Sequence, residues 1–212
     1  MNNKTIREIA VAWKEYKRPY VKQSTMAAYL LILENHLLPA FGEKDSLPEQ
    51  SVQSFVLEKI ECGLSVKSIK DILIVLKMIL RFGAKNQMTE YRQIDIKFPT
   101  ERDKHSIDIL NRSHQKQIME YIRLHFTFKN LGIYICLSAG MRIGEICALT
   151  WDDLDVENGI IHVRKTIQRI YVIEEHRKYT EVILDTPKTK NSIRTLPLPQ
   201  QAVDLLVAKH QK

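Results

Sequence analysis

Cysteine and long apolar runs are scarce in this sequence. The 212 residues include 3 cysteines, and their spacing shows none of the pairing typical of disulfide frameworks. A sparse, unpaired set of cysteines indicates a reducing compartment. The polar beginning MNNKTIREIA is unlike a signal peptide, and the longest apolar run is too short to cross a bilayer. We therefore expect a cytoplasmic protein that makes no contact with a membrane.

Clusters of metal-ligating residues are also missing from the sequence. The 7 histidines are scattered, and none pairs with another at a ligand spacing such as His-x-x-x-His. Zinc sites need several such ligands close together. The sequence therefore predicts no metal site and no cofactor.

The sequence does contain a modest excess of positive charge. Its 32 Lys and Arg residues oppose 25 Asp and Glu residues, which gives a net charge of +7. Residues 1–104 and 105–212 share this excess, so neither half is a basic tail. The balance favours an anionic partner that both halves contact. With 44% hydrophobic residues, the chain can form one large domain or two small ones.

Helical periodicity dominates residues 1–98. Ser24 and Thr25 are predicted to cap the second of four helices, and Pro39 to end it. Pro48 is typical of the start of the third helix, and Ser65 of the start of the fourth. Four short helices with tight connections predict a small bundle. Their apolar faces are Ile6, Ile9, Ala10 and Trp13; Tyr29, Leu30, Leu33 and Leu37; Val52, Phe55, Val56 and Ile60; and Ile69, Ile72, Leu73, Leu76, Ile79 and Leu80.

A second domain is predicted over residues 108–212, after a charged linker at residues 99–107. Ser113 is predicted to cap a helix that runs to about Phe128, and another helix follows as far as Ser138. Strand-like alternation then begins after Asn158-Gly159. The stretch KTKNSIRTLPLP predicts a hairpin whose turn is Lys190-Asn191-Ser192, before a last helix.

Two basic residues in this second domain allow two interpretations each. Arg142 follows the small residues Ser138-Ala139-Gly140 and precedes a helical pattern, where a cation is unfavourable to the helix dipole. It either forms a structural pair with Glu145 or the Trp151-Asp152-Asp153 corner, or directs its guanidinium at a phosphate. Lys188 is either a solvated lysine or a proton donor that reaches into a cleft.

Two segments of the sequence carry a family resemblance. AGMRIGEICALTWDDLD resembles the first conserved box of the tyrosine recombinases, the phage-integrase family, whose pattern is roughly TGxRxxExxxLxWxDID. TPKTKNSIRTLPLP resembles the lysine hairpin of that family. QSTMAAYLLILENHLLPAFG and LSVKSIKDILIVLKMILRFG are similar to the second and fourth helices of its core-binding domain. The resemblance is nearest to integrases of Gram-positive phages or conjugative transposons.

The resemblance implies a mainly α fold with a small β-sheet. A four-helix, SAM-like core-binding domain would be followed by an incomplete α+β catalytic domain. It also implies metal-free phosphoryl transfer, in which a tyrosine attacks a DNA phosphodiester and forms a 3′-phosphotyrosyl link. On this basis Arg142 belongs to the arginine clamp on the phosphate, Lys188 is the general acid, and Glu145 is a buried support.

The resemblance further implies that the partners are double-stranded DNA and other recombinase protomers bound to it. We expect DNA contacts at the start of the second helix, on the fourth helix and after the lysine hairpin. The candidate residues are Lys22, Ser24, Thr25 and Tyr29; Lys67, Ser68 and Lys70; and Arg194.

The sequence departs from the family pattern after the lysine hairpin. An HxLRH box and a later tyrosine should follow, but no histidine here has arginine three residues on. Tyr171 and Tyr179 precede the hairpin and are not credible nucleophiles. We expect an N-terminal portion of a recombinase that binds DNA without cleaving it. The alternatives are a non-catalytic protein that occupies an attachment site, or a remnant whose catalytic half is unstable.

Overall fold

The computed structural model describes residues 3–91, 93–99, 108–174 and 177–210. The chain separates into two compact units. The first comprises Met1–His105 and Ile170–Thr180, and the second comprises Ser106–Arg169 and Glu181–Lys212. The predicted linker at residues 99–107 lies outside the described residues apart from Pro99. Among the described residues, no helix combines the length and apolar character needed to cross a bilayer.

The first unit is built from helices. They are α1 (Ile6–Lys17), α2 (Gln23–Ile32), α3 (Leu38–Phe41), α4 (Glu49–Glu61) and α5 (Val66–Lys85), with a 3₁₀ turn at Arg18–Tyr20 and a π-helical turn at Leu33–Leu37. The side chains of Thr5 and Ser65 cap α1 and α5 by accepting hydrogen bonds from backbone N–H groups of the first turn. The core includes the fully buried Trp13 and Leu76. The apolar faces read from the sequence meet there, so the predicted helical bundle is confirmed.

The second helix of the bundle corrects two sequence predictions. Ser24 and Thr25 lie within the first turn of α2, because the helix begins at Gln23 and Lys22 occupies the N-cap position. Pro39 does not end the helical path. The π-helical turn pairs the N–H of Leu38 with the carbonyl of Leu33, and this wider turn lets the chain continue through Pro39 as α3.

The second unit combines helices with short strands. They are α6 (Arg112–Leu124), α7 (Phe128–Ala139), α8 (Ile143–Ile146), β1 (Leu154–Asp155), β2 (Ile160–Val163), β3 (Thr166–Glu174), β4 (Arg177–Asp185), β5 (Arg194–Pro197) and α9 (Gln200–His210), with 3₁₀ turns at Trp151–Asp153 and Lys190–Ser192. Strands β1, β2 and β5 form an antiparallel sheet in the order β1-β2-β5, and β3 pairs with β4. Ile170–Thr180, the outer part of β3 and β4, clusters with the first unit.

The start of α6 and the end of the lysine segment differ from the sequence predictions. Asn111, not Ser113, caps α6, because its side chain accepts a hydrogen bond from the N–H of His114. The segment after β4 is not a hairpin of two mutually paired strands. A turn does form at Lys190–Ser192, but β5 pairs with β2, where Ile161 faces Leu196. This pairing buries Ile161 in the core of the second unit.

Candidate functional site

A sharp reversal of the chain between α7 and α8 positions Arg142. Helix α7 ends at Gly140, whose φ of 62° is a left-handed conformation that glycine adopts without strain. Arg142 then occupies the N-cap position of α8 with an extended backbone. Gly144 lies so close to the start of β3 that a Cβ there would stand 2.6 Å from the carbonyl oxygen of Ile167. The reversal and this close approach fix where the Arg142 side chain begins.

Glu145 is the buried centre of this region. Its side chain is 3% exposed, and its carboxylate binds two arginines. The backbone N–H and Nη1 of Arg142 each donate to it at 2.9 Å. From 49 positions away, Arg194 donates through Nη1 at 3.0 Å and through Nη2 at 2.9 Å. Each carboxylate oxygen of Glu145 therefore accepts two hydrogen bonds.

These contacts keep Glu145 ionised. The hydrogen bonds from the Arg194 side chain are the largest influence, and together with those from Arg142 they lower the pKa of Glu145 to about 2, although burial acts in the opposite direction. A carboxylate of this kind is an anchor for cations. It is therefore a poor general acid or base at neutral pH, which agrees with the support role that the resemblance implies.

Arg142 pairs with Glu145 and also lines an open cleft. Its side chain is 72% exposed despite the ion pair. The cleft has a volume of about 480 Å³ and is lined by Gly140, Arg142, Thr189, Asn191, Ser192 and Arg194. The two interpretations of Arg142 are thus not exclusive, because one edge of the side chain binds the buried carboxylate while the rest faces the cleft.

Lys188 immediately precedes a second chain segment that lines this cleft. It is exposed and lies one residue before the cleft-lining Thr189. The hydroxyl groups of Thr189 and Ser192 are 2.9 Å apart, and the N–H of Ser192 donates to the carbonyl of Thr189 at 3.0 Å. These bonds close a compact turn directly after Lys188.

Arg194 has protein partners on both of its terminal nitrogens. Besides Glu145, it donates from Nη1 to the carbonyl of Ser192 at 3.1 Å, and its side chain is 26% exposed. The DNA contact assigned to it from sequence stays a prediction.

Sequence reasoning missed a second buried carboxylate, Asp153. Burial would raise its pKa, but hydrogen bonds from Lys165 and Thr150 outweigh burial and lower the pKa to about 2. The Nζ of Lys165 lies 2.7 Å from the carboxylate, and Nη2 of Arg164 lies 3.2 Å away. The corner at Asp153 therefore binds these two cations and not Arg142. The spacing Thr150-x-x-Asp153 is a capping-box signature that could have revealed it.

The DNA-contact candidates of the first unit lie near the starts of α2 and α5. Lys67, Ser68 and Lys70 are exposed on α5. Tyr29 is half-buried, and its ring packs against Trp13 with centroids 5.8 Å apart. Helices α2 and α5 pack together in the bundle. The structure therefore brings both starts into one unit, and the individual contacts stay predictions.

Comparisons with known proteins give the same assignment for both parts of the chain. The sequence model described as "Phage integrase family" matches residues 108–212, and "Phage integrase, N-terminal SAM-like domain" matches residues 5–45. A "Tyrosine recombinase XerC-like" protein of Caldanaerobacter subterraneus is 28% identical over 205 residues, which are 92% of this chain and 48% of that protein. The ICEBs1 integrase of Bacillus subtilis is 24% identical over 187 residues, 82% of this chain and 46% of the integrase. The chain spans about half the length of these relatives.

Solved structures show that the fold is shared. The Tn1549 transposon integrase, in a complex with transposon right end DNA, aligns with a TM-score of 0.70 and 23% identity over 99% of this chain and 66% of that one. A lambda integrase tetramer bound to a Holliday junction aligns with a TM-score of 0.59 and 15% identity over 86% of this chain and 49% of that one. Family models match both parts of the chain and the solved structures share its fold, and the chain belongs to the phage integrase family of site-specific tyrosine recombinases found in phages and mobile elements.

Proposed function

We propose that this chain binds duplex DNA and that Arg142 and Lys188 hold one phosphodiester in the cleft of the second unit. The observation that carries the proposal is the division of Arg142 between a buried carboxylate and an open cleft. A guanidinium fixed on one side presents its other donors in a rigid plane, which matches two nonbridging phosphate oxygens. Its charge is permanent, so the clamp would be set before the phosphate arrives.

Lys188 is the better candidate for the proton donor because the nearby alternative is already engaged. Lys165 also follows a strand of the second unit. However, its Nζ lies 2.7 Å from Asp153 and donates to the hydroxyl of Thr150 at 2.9 Å. Lys188 is exposed and adjoins a cleft-lining residue. In the reaction of the family, where a tyrosine oxygen bonds to phosphorus, an ammonium group in this position would give its proton to the 5′ oxygen as the bond from that oxygen to phosphorus breaks.

The first unit would contact the DNA backbone through the starts of α2 and α5. Lys22, Ser24 and Thr25 mark the first of these, and Lys67, Ser68 and Lys70 mark the second, where all three residues are exposed. Lysine ammonium groups and serine and threonine hydroxyls are ordinary donors to phosphate oxygens. Tyr29 is also proposed to contact the DNA backbone, but less of its side chain is accessible because its ring packs against Trp13.

A salt titration of DNA affinity tests binding by the first unit. The probe is a fluorescent 30-base-pair duplex, and anisotropy is measured with the full chain at several salt concentrations. Each phosphate contact contributes about −0.9 to the slope of log K against log salt, so Lys67→Gln with Lys70→Gln should flatten the slope by about 2. Absence of binding, or affinity that does not change with salt, contradicts the proposal.

The same titration tests the cleft. Arg142→Ala and Lys188→Ala should each flatten the slope by about 1. Arg123→Ala is the matched control, because Arg123 is an exposed arginine of the same unit that pairs with Glu120 on its own helix. If Arg142→Ala and Arg123→Ala changed the salt slope equally, the proposed contact between Arg142 and a phosphate would be contradicted.

We extend the proposal to assembly on DNA, with further protomers of the chain binding side by side. The support is one structural neighbour, the lambda integrase, which was solved as a tetramer bound to a Holliday junction. Mass photometry of the chain on a longer duplex should resolve more than one protomer per DNA. A single protomer at every protein concentration would contradict this extension.

A further inference from the structure

We propose that Arg194 is a positioning residue, which ties the turn after Lys188 to the carboxylate that holds Arg142, and does not itself contact DNA. The inference rests on the proposed function of the cleft. It gives a different role to the residue that sequence reasoning placed on the DNA backbone.

The hydrogen bonds of Arg194 run between the two walls of the cleft. On one side, Nη1 and Nη2 bind the two oxygens of Glu145 at 3.0 and 2.9 Å. On the other side, Nη1 donates to the carbonyl of Ser192 at 3.1 Å, within the turn that Thr189 opens. One planar guanidinium therefore links α8, which begins after Arg142, to the segment that begins with Lys188.

Arg194 also controls how Arg142 can use the shared carboxylate. With Arg194 on both carboxylate oxygens, the side chain of Arg142 binds Glu145 through Nη1. If Arg194 were lost, the second oxygen would be open to a bidentate pair with Arg142, which is the geometry that arginine and carboxylate prefer. Such a pair would draw the Arg142 guanidinium away from the cleft and towards the Glu145 carboxylate.

The substitution Arg194→Lys distinguishes a positioning role of Arg194 from a direct contact with phosphate. A phosphate contact survives replacement by lysine, because lysine is an effective point charge for phosphate. The three hydrogen bonds of Arg194 need a planar fork that spans two carboxylate oxygens and a carbonyl, and an ammonium group lacks that geometry. Arg194→Lys should therefore behave like Arg194→Gln if the residue positions the cleft.

The first experiment needs no DNA, and its titration is carried out on the unaltered chain. Nε–Hε signals of the arginines are recorded by NMR on the full chain during a titration with inorganic phosphate, with Arg142→Lys and Arg194→Lys spectra used for assignment. The Arg142 signal should move as phosphate fills the cleft, while the Arg194 signal stays in place. An Arg194 signal that moves as far as that of Arg142 overturns the inference. An Arg142 signal that does not move counts against the proposed function instead.

The second experiment follows the Arg142 signal in phosphate-free variants. Arg194→Lys and Arg194→Gln should both shift it, and Arg123→Lys, a surface control in α6, should not. An Arg142 signal unchanged in Arg194→Lys overturns the inference. Thermal unfolding of each variant is recorded alongside, and a variant that does not fold is left out because the phosphate titration of the unaltered chain decides the question alone.

A double-mutant cycle on DNA affinity completes the test. Arg194→Lys and Glu145→Gln should each weaken binding by roughly tenfold, the size of one lost charged hydrogen bond, and the double variant should be no weaker than the worse single variant. Multiplying losses would mean that Arg194 acts independently of Glu145, as a direct DNA contact does, and would contradict the inference.

Discussion

The two buried carboxylates of the second unit are alike in position, burial and pKa but differ in the cations that bind them. Glu145 and Asp153 each lie three residues after the N-cap residue of a short helical turn, are 3% exposed at the side chain, and have a pKa of about 2. Each also binds two cations. The cations of Asp153 are the consecutive residues Arg164 and Lys165, between β2 and β3, whereas those of Glu145 are Arg142 and Arg194 on the distant strand β5.

This difference separates an anchor for local structure from an anchor for a site. Asp153 also binds the N–H and the hydroxyl of Thr150, at 3.1 and 2.8 Å, so its contacts stay within one corner of the fold. Glu145 instead binds Arg142 and Arg194, which both line the open cleft. The distance along the chain between the acid and its partners, and not the burial of the acid, therefore distinguishes the candidate functional carboxylate.

Removal of Asp153 should have the largest effect on stability. Asp153→Ala loses two ion pairs and leaves the N–H of Thr150 without its acceptor, so we expect a loss of about 3 kcal/mol in the free energy of unfolding. Urea denaturation of the full chain measures it. Asp152→Ala, a change at the exposed neighbour, is the control and should stay close to the unaltered chain. A loss below about 1 kcal/mol would show that the Asp153 corner is not an anchor.

Replacement of Glu145 should affect stability less and the cleft more. Glu145→Gln keeps one acceptor oxygen, so the expected loss is about 2 kcal/mol in the free energy of unfolding. Unlike Asp153→Ala, it should also weaken DNA binding, because Arg142 and Arg194 lose their shared anion. Denaturation and anisotropy are measured on both variants, with the exposed Glu157→Gln as control. Equal DNA affinities for the two variants would erase the distinction drawn between the carboxylates.

A methyl group at Gly144 should displace α8, the short helix that carries Glu145. Its Cβ would lie 2.6 Å from the carbonyl of Ile167 and 2.7 Å from the hydroxyl of Thr166, so α8 must move. Gly144→Ala should destabilise the chain by about 1–3 kcal/mol, as overpacking does. Gly132→Ala, whose new Cβ would lie 3.3 Å from a methyl group of Ile146, should be nearly neutral in the same denaturation assay. Similar losses for both would refute the tight contact.

The smallest expected effect is a difference in acid sensitivity. Both pKa values are lower in the folded chain than the ordinary values of 4.5 for Glu and 3.8 for Asp. Below the ordinary values the unfolded chain binds more protons, so stability is lost as pH falls towards about 2. The pH range between the ordinary pKa and the pKa in the folded chain is wider for Glu145 than for Asp153. Glu145→Gln should therefore flatten the dependence of the urea midpoint on pH, between about pH 5 and 3, more than Asp153→Asn does. The reverse order would contradict the assignment.

Sequence reasoning succeeded where the determinants are local. The stripe of Ile6, Ile9 and Trp13 predicts its helix because burial of one face repeats every three to four residues. The turn at Lys190–Ser192 was also placed correctly by its polar residues. The family and the mainly α fold with small sheets are confirmed, since the arginine box and the helical segments carry them.

The remaining features depend on residues far apart in the chain. The partner of β5 is β2, more than 30 positions earlier, and no local signal distinguishes it from the adjoining segment. The bond from Arg194 to Glu145 spans 49 positions and is invisible in either motif alone. Asn111 and Ser113 are both residue types that favour the N-cap position, so the sequence alone does not choose Asn111.

The first unit is built from two separate stretches of the chain, and this has a consequence for synthesis of the protein. Ile170 is buried, and Lys178 donates from Nζ to Oδ1 of Asn35 at 2.7 Å, so the unit that begins at the N-terminus draws on a segment ending at Thr180. A ribosome adds the 75 residues between His105 and Thr180 in about 4–15 s. For that interval the surface of the first unit that contacts the segment stays uncovered on the nascent chain, where a chaperone that shields apolar surface can bind it.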